Sequence, residues 1–325
     1  SEPAVSMSAV VEALLVSGYM LSSSTLLLVN KNALLSFPHP SSLTAMQYTC
    51  SSSAAAFLMS LGSSKERHYL NPSKMLVFLP AAALFYASVF SNTKILQHSN
   101  VETAIVFRSM TPLATQLIET FCGTAPTPTM PMLVSLLMIL MGAAGYAHFD
   151  SEISISAYSW AIFYVIVLSA ETVVCKAVIT KLQLNTWGLV LYNNFIALLL
   201  SPVVNLVCTG RILDVASLHM LHNSWDSVAL PIGMACATGI SISFFGFACK
   251  QAVSPTSFLV LGILNKLLTL ALSICIWGAH ASFMGSICIL VSMGGSVAFQ
   301  LVKTKNVEGG KLKSSNSWKC ISKQV

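Results

Sequence analysis

The sequence predicts an all-α polytopic membrane protein of ten transmembrane helices arranged as a 5+5 inverted repeat. Three observations predict it. Apolar residues make up 55% of the 325, and Asp, Glu, Lys and Arg together only 9%, where a soluble domain carries about a quarter charged residues; mean hydropathy is +0.75. Long apolar runs, each able to cross roughly 30 Å of hydrocarbon at about 1.5 Å per residue, follow one another along the chain. The last five runs also repeat the spacing of the first five.

Taken in order, the runs are 9–35, 41–62, 73–97, 102–122, 128–147, 156–181, 185–209, 227–250, 255–277 and 282–302. The first closes on Val29-Asn30-Lys31, and the second holds Gln47 as an internal polar group. Pro80, Asn92 and Lys94 interrupt the third, so nine spans stay open as an alternative. The fourth follows the polar link Ser99-Asn100 and carries Arg108 and Glu119. The fifth contains Gly142-Ala143-Ala144-Gly145 and the tenth Gly294-Gly295, which permit close helix contact within one chain or across a homodimer. Glu171 and Lys176 lie in the sixth, Tyr192-Asn193-Asn194 in the seventh, and Asn265-Lys266 in the ninth. The connections are too short for a further domain. One transporter domain of residues 1–302 is therefore expected, with repeats at about 9–147 and 156–302 and a basic tail at 303–325.

Basic residues set the orientation. With a cytosolic N-terminus, Lys65, Arg67, Lys74, Lys181, Lys250 and the tail lysines face the cytosol, while Asp150, Glu152, Asp214 and Asp226 face the other side. The positive-inside rule places both termini in the cytosol. Most of the +6 net charge is this tail, a topology signal and an anionic-lipid contact; a nucleic-acid partner would need a folded basic surface. No Cys-x-x-Cys occurs, and eight of the nine cysteines fall in or at the ends of apolar runs, where a thiol acts as a small hydrophobe. His219 and His222 have a helical metal spacing but belong to a loop, so no metal is expected. There is no Walker-type phosphate loop, and neither a cofactor nor an enzymatic activity is expected.

Shifting the chain by 153 residues lays Ser99–Thr103 on Ala252–Thr256; shifting it by about 146 lays Pro40–Leu43 on Thr186–Leu189. Five spans followed by five related ones enter the membrane from opposite sides, the plan of secondary transporters with a site near the midplane. Ionisable groups inside spans must avoid lipid. Arg108 and Lys266 occupy corresponding spans, and two such cations suit an anionic ligand, a diphosphate better than one carboxylate. Lys31, Glu119, Glu171 and Lys176 are candidate charge partners. Tyr192-Asn193-Asn194 offers donors and acceptors able to read a purine edge, or to hydrogen-bond a neighbouring helix.

Leu191-Tyr192-Asn193-Asn194, followed about 70 residues later by Gly262-Ile263-Leu264-Asn265-Lys266, resembles the paired signature of Golgi GDP-sugar transporters in the nucleotide-sugar branch of the drug/metabolite transporter superfamily. Val29-Asn30-Lys31, Phe107–Thr111 with Glu119, and Ala157–Ala161 sit where such transporters carry similar peptides. Asn100–Thr103, Leu184–Gly188 and Ser243–Phe247 are similar to the plant-type subgroup of GDP-fucose and GDP-mannose carriers. Leu191, Ile263 and Arg108 depart from the family's phenylalanine, alanine and lysine; Arg108 keeps the charge.

The resemblance implies that Asn193 and Asn194, supported by Tyr192, read guanine. It implies that Tyr19, Arg108, Phe258, Gly262, Asn265 and Lys266 hold sugar and phosphate. Phe258 stands where a yeast-type GDP-mannose carrier has tyrosine, so the sugar is not named. The implied activity is exchange of cytosolic GDP-mannose or GDP-fucose for luminal GMP across the Golgi membrane. Lys323 lacks the second lysine of an endoplasmic-reticulum retrieval signal. The alternatives are a UDP-sugar or sugar-phosphate antiporter of the same fold, and a non-transporting membrane scaffold.

Overall fold

The computed structural model describes residues 2–61, 70–121, 128–150, 154–182, 184–210, 214–252, 255–277 and 282–309. Its elements are α1 (Glu2–Ser36), α2 (Pro40–Leu61), α3 (Pro72–His98), α4 (Val101–Ser109), α5 (Thr111–Phe121), α6 (Met130–Phe149), α7 (Ile155–Leu182), α8 (Thr186–Thr209), α9 (Val215–Asn223), α10 (Trp225–Ala252), α11 (Pro255–Trp277) and α12 (Phe283–Gly309). Among the described residues there is no strand. Among the described residues, seven stretches are long and apolar enough to cross a membrane, in α1, α3, α6, α7, α8, α10 and α12. The chain is thus an all-helical, polytopic membrane protein. α2, rich in Ser and Thr, and α5 do not meet that measure, and α11 offers a shorter apolar stretch, Asn265–Ile276.

Local chemistry fixes the boundaries. Pro38 has no N–H to continue α1, and the chain turns through Phe37 N to Ala33 O (2.7 Å) and His39 N to Phe37 O (2.8 Å) before α2 begins. α8 starts where the Asn185 side chain accepts the Gly188 N–H at 2.8 Å, and ends at Gly210, whose φ of 70° is the left-handed cap conformation that glycine adopts without strain. The run 73–97, read as one span despite the interruptions at Pro80, Asn92 and Lys94, is one helix, α3. The run 102–122, expected as a single helix, is two. Pro112 cannot donate to Arg108 O, so the backbone tightens at Met110, whose N–H reaches Phe107 O at 3.0 Å, and Thr111 Oγ1 satisfies Arg108 O at 2.6 Å. The loop expected between spans seven and eight contains α9, capped by Asp214, which accepts the Ser217 N–H.

Two compact units emerge, and each draws on both halves of the chain: Ser1–Tyr86 with Gln183–Thr269, and Ala87–Leu182 with Leu270–Val325. In the first, α1 packs along α10, and α2 along α8 and α10. In the second, α6 packs along α12, and α4 and α5 pack on α7. Small residues make the α6–α12 approach close. A Cβ on Gly142 would lie 2.5 Å from Ser292 N, and one on Gly295 would lie 2.8 Å from Ile139 N. Of the glycines expected to permit close helix contact, Gly142, Gly145 and Gly295 do so within the chain and Gly294 does not, around a core of Met132, Ile139 and Phe299.

Candidate substrate site

In the first unit, the stretch Tyr192-Asn193-Asn194 is buried in the first half of α8. Its three polar side chains stand differently. The Tyr192 hydroxyl accepts the Asn71 N–H at 2.8 Å while its ring lies 6.2 Å from Phe78, so this phenol fastens the start of α3. Asn194 Nδ2 donates to Val190 O at 2.8 Å, with Ser243 Oγ at the limit of hydrogen-bond length, 3.5 Å. Asn193 Nδ2 is buried and has no partner. A donor left unmade costs about 1–3 kcal/mol, so a buried one calls for a physical reason.

The second motif lies on α11 in the same unit. Asn265 is 4% exposed. Its Nδ2 donates to Ser23 Oγ, its Oδ1 accepts from Ser24 Oγ, and its backbone oxygen accepts from Thr269 Oγ1 at 2.8 Å. Both ends of that amide are used to brace α11 against α1. Lys266, the next residue, is half-buried. At Gly262, one turn earlier, a Cβ would meet nothing within 4 Å, so the space beside it is open. Tyr19 is buried on α1, next to Gly18, which lies hard against the Phe245 ring of α10. Lys31 is half-buried, and its neighbour Asn30 accepts from Gln47 Nε2 at 2.7 Å; Gln47 also donates to Ala235 O at 3.1 Å, tying α1, α2 and α10 together.

The second unit holds the other charged candidates. Arg108 is half-buried in the last turn of α4, beside the break before α5. A cation there meets the negative end of the helix dipole. Glu119 pairs with Lys303 at 2.5 Å, and Lys303 also lies 5.8 Å from the Phe299 ring. The sequence placed Lys303 in the tail; it belongs to α12. Glu171 is buried on α7. The side chains of Phe258 and Lys176, and the tail beyond Gly309, lie outside the described residues.

The sequence did not single out the Ser23–Asn265–Ser24 brace or the buried Glu102 of α4. The first had no local signal, since its partners are 242 and 241 residues apart. The second stands where an apolar run begins, a place in which a carboxylate looks solvated. Among the described residues no group of three or more His, Cys, Asp or Glu could hold a metal.

Comparison with known proteins adds what geometry alone does not. The model of the Triose-phosphate Transporter family matches residues 9–300. The GDP-mannose transporter GONST3 of Arabidopsis thaliana is 43% identical over 285 residues, covering 87% of this chain and 76% of that protein. The GDP-fucose transporter 1 of the same plant is 39% identical over 290 residues, covering 88% of this chain and 84% of its own. A crystal structure at 16% identity shares the fold with a TM-score of 0.58, covering 90% of this chain and 98% of its own.

Proposed function

We propose that this chain, which belongs to the Triose-phosphate Transporter family and is a transporter rather than an enzyme, exchanges a cytosolic GDP-linked sugar for GMP across the Golgi membrane. The sugar is mannose or fucose, the two cargoes named for its plant relatives. The chain crosses the membrane ten times as a 5+5 inverted repeat with both termini in the cytosol, and alternating access exposes one site to each side in turn. Exchange needs no ATP. Both substrates compete for the site, and a slow return of the empty carrier enforces the swap.

The observation that carries this reading is the unpartnered amide of Asn193 in the first unit. Its donor is free to meet a purine acceptor, while Tyr192 and Asn194 are held by Asn71 and Val190 and keep it oriented. Lys266 is the cation of the first unit for the diphosphate; Arg108 is the second cation that the sequence offers, with a guanidinium able to make a two-pronged phosphate contact that an amine cannot. Gly262 leaves room for the hexose, with Tyr19 and Phe258 beside it, and Asn265 holds the helix that carries Lys266. Lys31, Glu171 and Lys176 serve as charge partners when the site is empty.

Proteoliposomes preloaded with GMP are expected to take up labelled GDP-mannose or GDP-fucose, and offering both to the same vesicles identifies the sugar. Faster uptake into vesicles preloaded with UMP would overturn the guanine assignment. Exchange of phosphorylated sugars against inorganic phosphate would favour the sugar-phosphate alternative, and no exchange of any pair would favour a scaffold.

A further inference from the structure

The Asn193 amide offers a base one donor, but guanine presents donors of its own. Its O6 accepts, while its N1–H and 2-amino group need acceptors. Two hydroxyls on α2, in the same unit, lack a hydrogen-bond partner. Tyr48 is 3% exposed and Ser52, one turn further on, 7%, and neither the Tyr48 hydroxyl nor Ser52 Oγ makes a hydrogen bond. Other buried hydroxyls on helices, those of Thr44, Ser91 and Ser169, donate to the carbonyl four residues back at 2.9, 2.7 and 2.7 Å, the usual recourse of a serine or threonine away from water.

Contacts made by α10 give the level of these hydroxyls. α1 runs against α10, with Gly18 beside Phe245 and, through Gln47, Asn30 near Ala235. α2 turns back from α1, so α2 and α10 run the same way. Gln47 Cβ lies 3.4 Å from where a Cβ on Gly239 would sit, and one helical turn beyond that pair stand Ser51 on α2 and Ser243 on α10. Ser243 Oγ is 3.5 Å from Asn194 Nδ2. Asn193 is therefore level with residues 51 and 52 of α2.

Direction agrees with level. On α8, Tyr192 turns to the start of α3, through Asn71 and Phe78, and Asn194 turns to α10, through Ser243. Asn193, about 100° of rotation from each, points between them. α2 occupies that direction: it packs along α8, touches α10 through Gln47, and reaches α3 through Tyr48, whose ring lies 6.2 Å from Phe85 and 5.5 Å from Tyr86. An amide on α8 and two hydroxyls on α2, all buried and without hydrogen-bond partners, thus stand within about a turn of one another.

On the reading that the site takes a guanine nucleotide, we infer that Tyr48 and Ser52 are specificity-determining residues. Their hydroxyl oxygens accept from the N1–H and the 2-amino group of guanine while Asn193 Nδ2 donates to O6. Admitting the base edge parts α2 from α8 at this level, and closing on it satisfies all three groups at once. Hypoxanthine keeps O6 and N1–H and lacks only the 2-amino group, so it leaves one acceptor unserved.

Competition in proteoliposomes tests this, with uptake of labelled GMP opposed by unlabelled GMP or IMP. The wild type is expected to prefer GMP over IMP by about tenfold, and Tyr48→Phe combined with Ser52→Ala to bring that ratio close to one. Thr49→Ala, on the exposed side of α2, should keep it. Melting temperatures without nucleotide separate a ligand contact from a structural one: neither hydroxyl has a hydrogen bond to lose, so the double variant should melt no lower than the wild type. A double variant with the wild-type ratio, a wild type that takes GMP without distinguishing IMP, or a double variant that melts several degrees lower would overturn the inference and leave the guanine reading standing. A wild type that exchanges neither nucleotide would overturn both.

Discussion

Two asparagines of the first unit differ in what their side-chain amides meet, and the difference gives the site proposed above a test. Asn193 Nδ2 has no hydrogen-bond partner, so Asn193→Ala removes no hydrogen bond from that donor. Thermal unfolding in detergent should show little change, while GMP exchange in proteoliposomes should fall about tenfold, the equivalent of roughly 1.4 kcal/mol. Asn265 uses both ends of its amide, on Ser23 and Ser24. Asn265→Ala leaves two buried hydroxyls short of a partner and should destabilise the protein by about 1–3 kcal/mol. A variant of Asn265 that melts like the wild type but fails to transport would move this residue from brace to ligand contact. The identities of these polar residues were legible in the sequence because a polar group inside an apolar run is conspicuous. Their partners were not: Tyr192 meets Asn71 across 121 residues, and no local pattern announces a bond of that range.

Helices were legible where apolar length alone decides them, as in α6 and α8, and less so where one side chain redirects the backbone. Pro80 and Pro112 look equally disruptive on paper. The first is absorbed within α3, whereas the second divides span four, because Thr111 Oγ1 can take over the carbonyl that Pro112 leaves unserved. The adjacent glycines of α12 give the test at this scale. Gly295 faces the α6 backbone, with Ser135 O 2.9 Å from where a Cβ would sit, while a Cβ at Gly294 would meet nothing within 4 Å. Gly295→Ala should therefore push α6 and α12 apart at a cost of about 1–3 kcal/mol, and Gly294→Ala should be neutral or slightly stabilising. Melting temperatures of the two variants, measured side by side, check it; equal values would mean that this helix pair is not closely packed in the membrane.

For the whole molecule, the basic residues carry a prediction that the helices by themselves do not make. If both ends of the chain face the cytosol, an epitope fused after Val325 should be cut by protease added to sealed Golgi vesicles, and protection of the tag would reverse the orientation. The membrane class was plain from 55% apolar residues, yet the grouping of helices into units was not, because it depends on which faces meet and not on how apolar they are. That grouping bears on how the protein is made. Residues 1–86 belong with 183–269, and 87–182 with 270–325, whereas a ribosome delivers the chain from one end. The first helices must wait in the bilayer until their partners emerge about a hundred residues later. A chain ending after Leu182 would hold one part of each unit and complete neither, so a stop codon there should leave a substrate for membrane quality control and not a smaller working carrier.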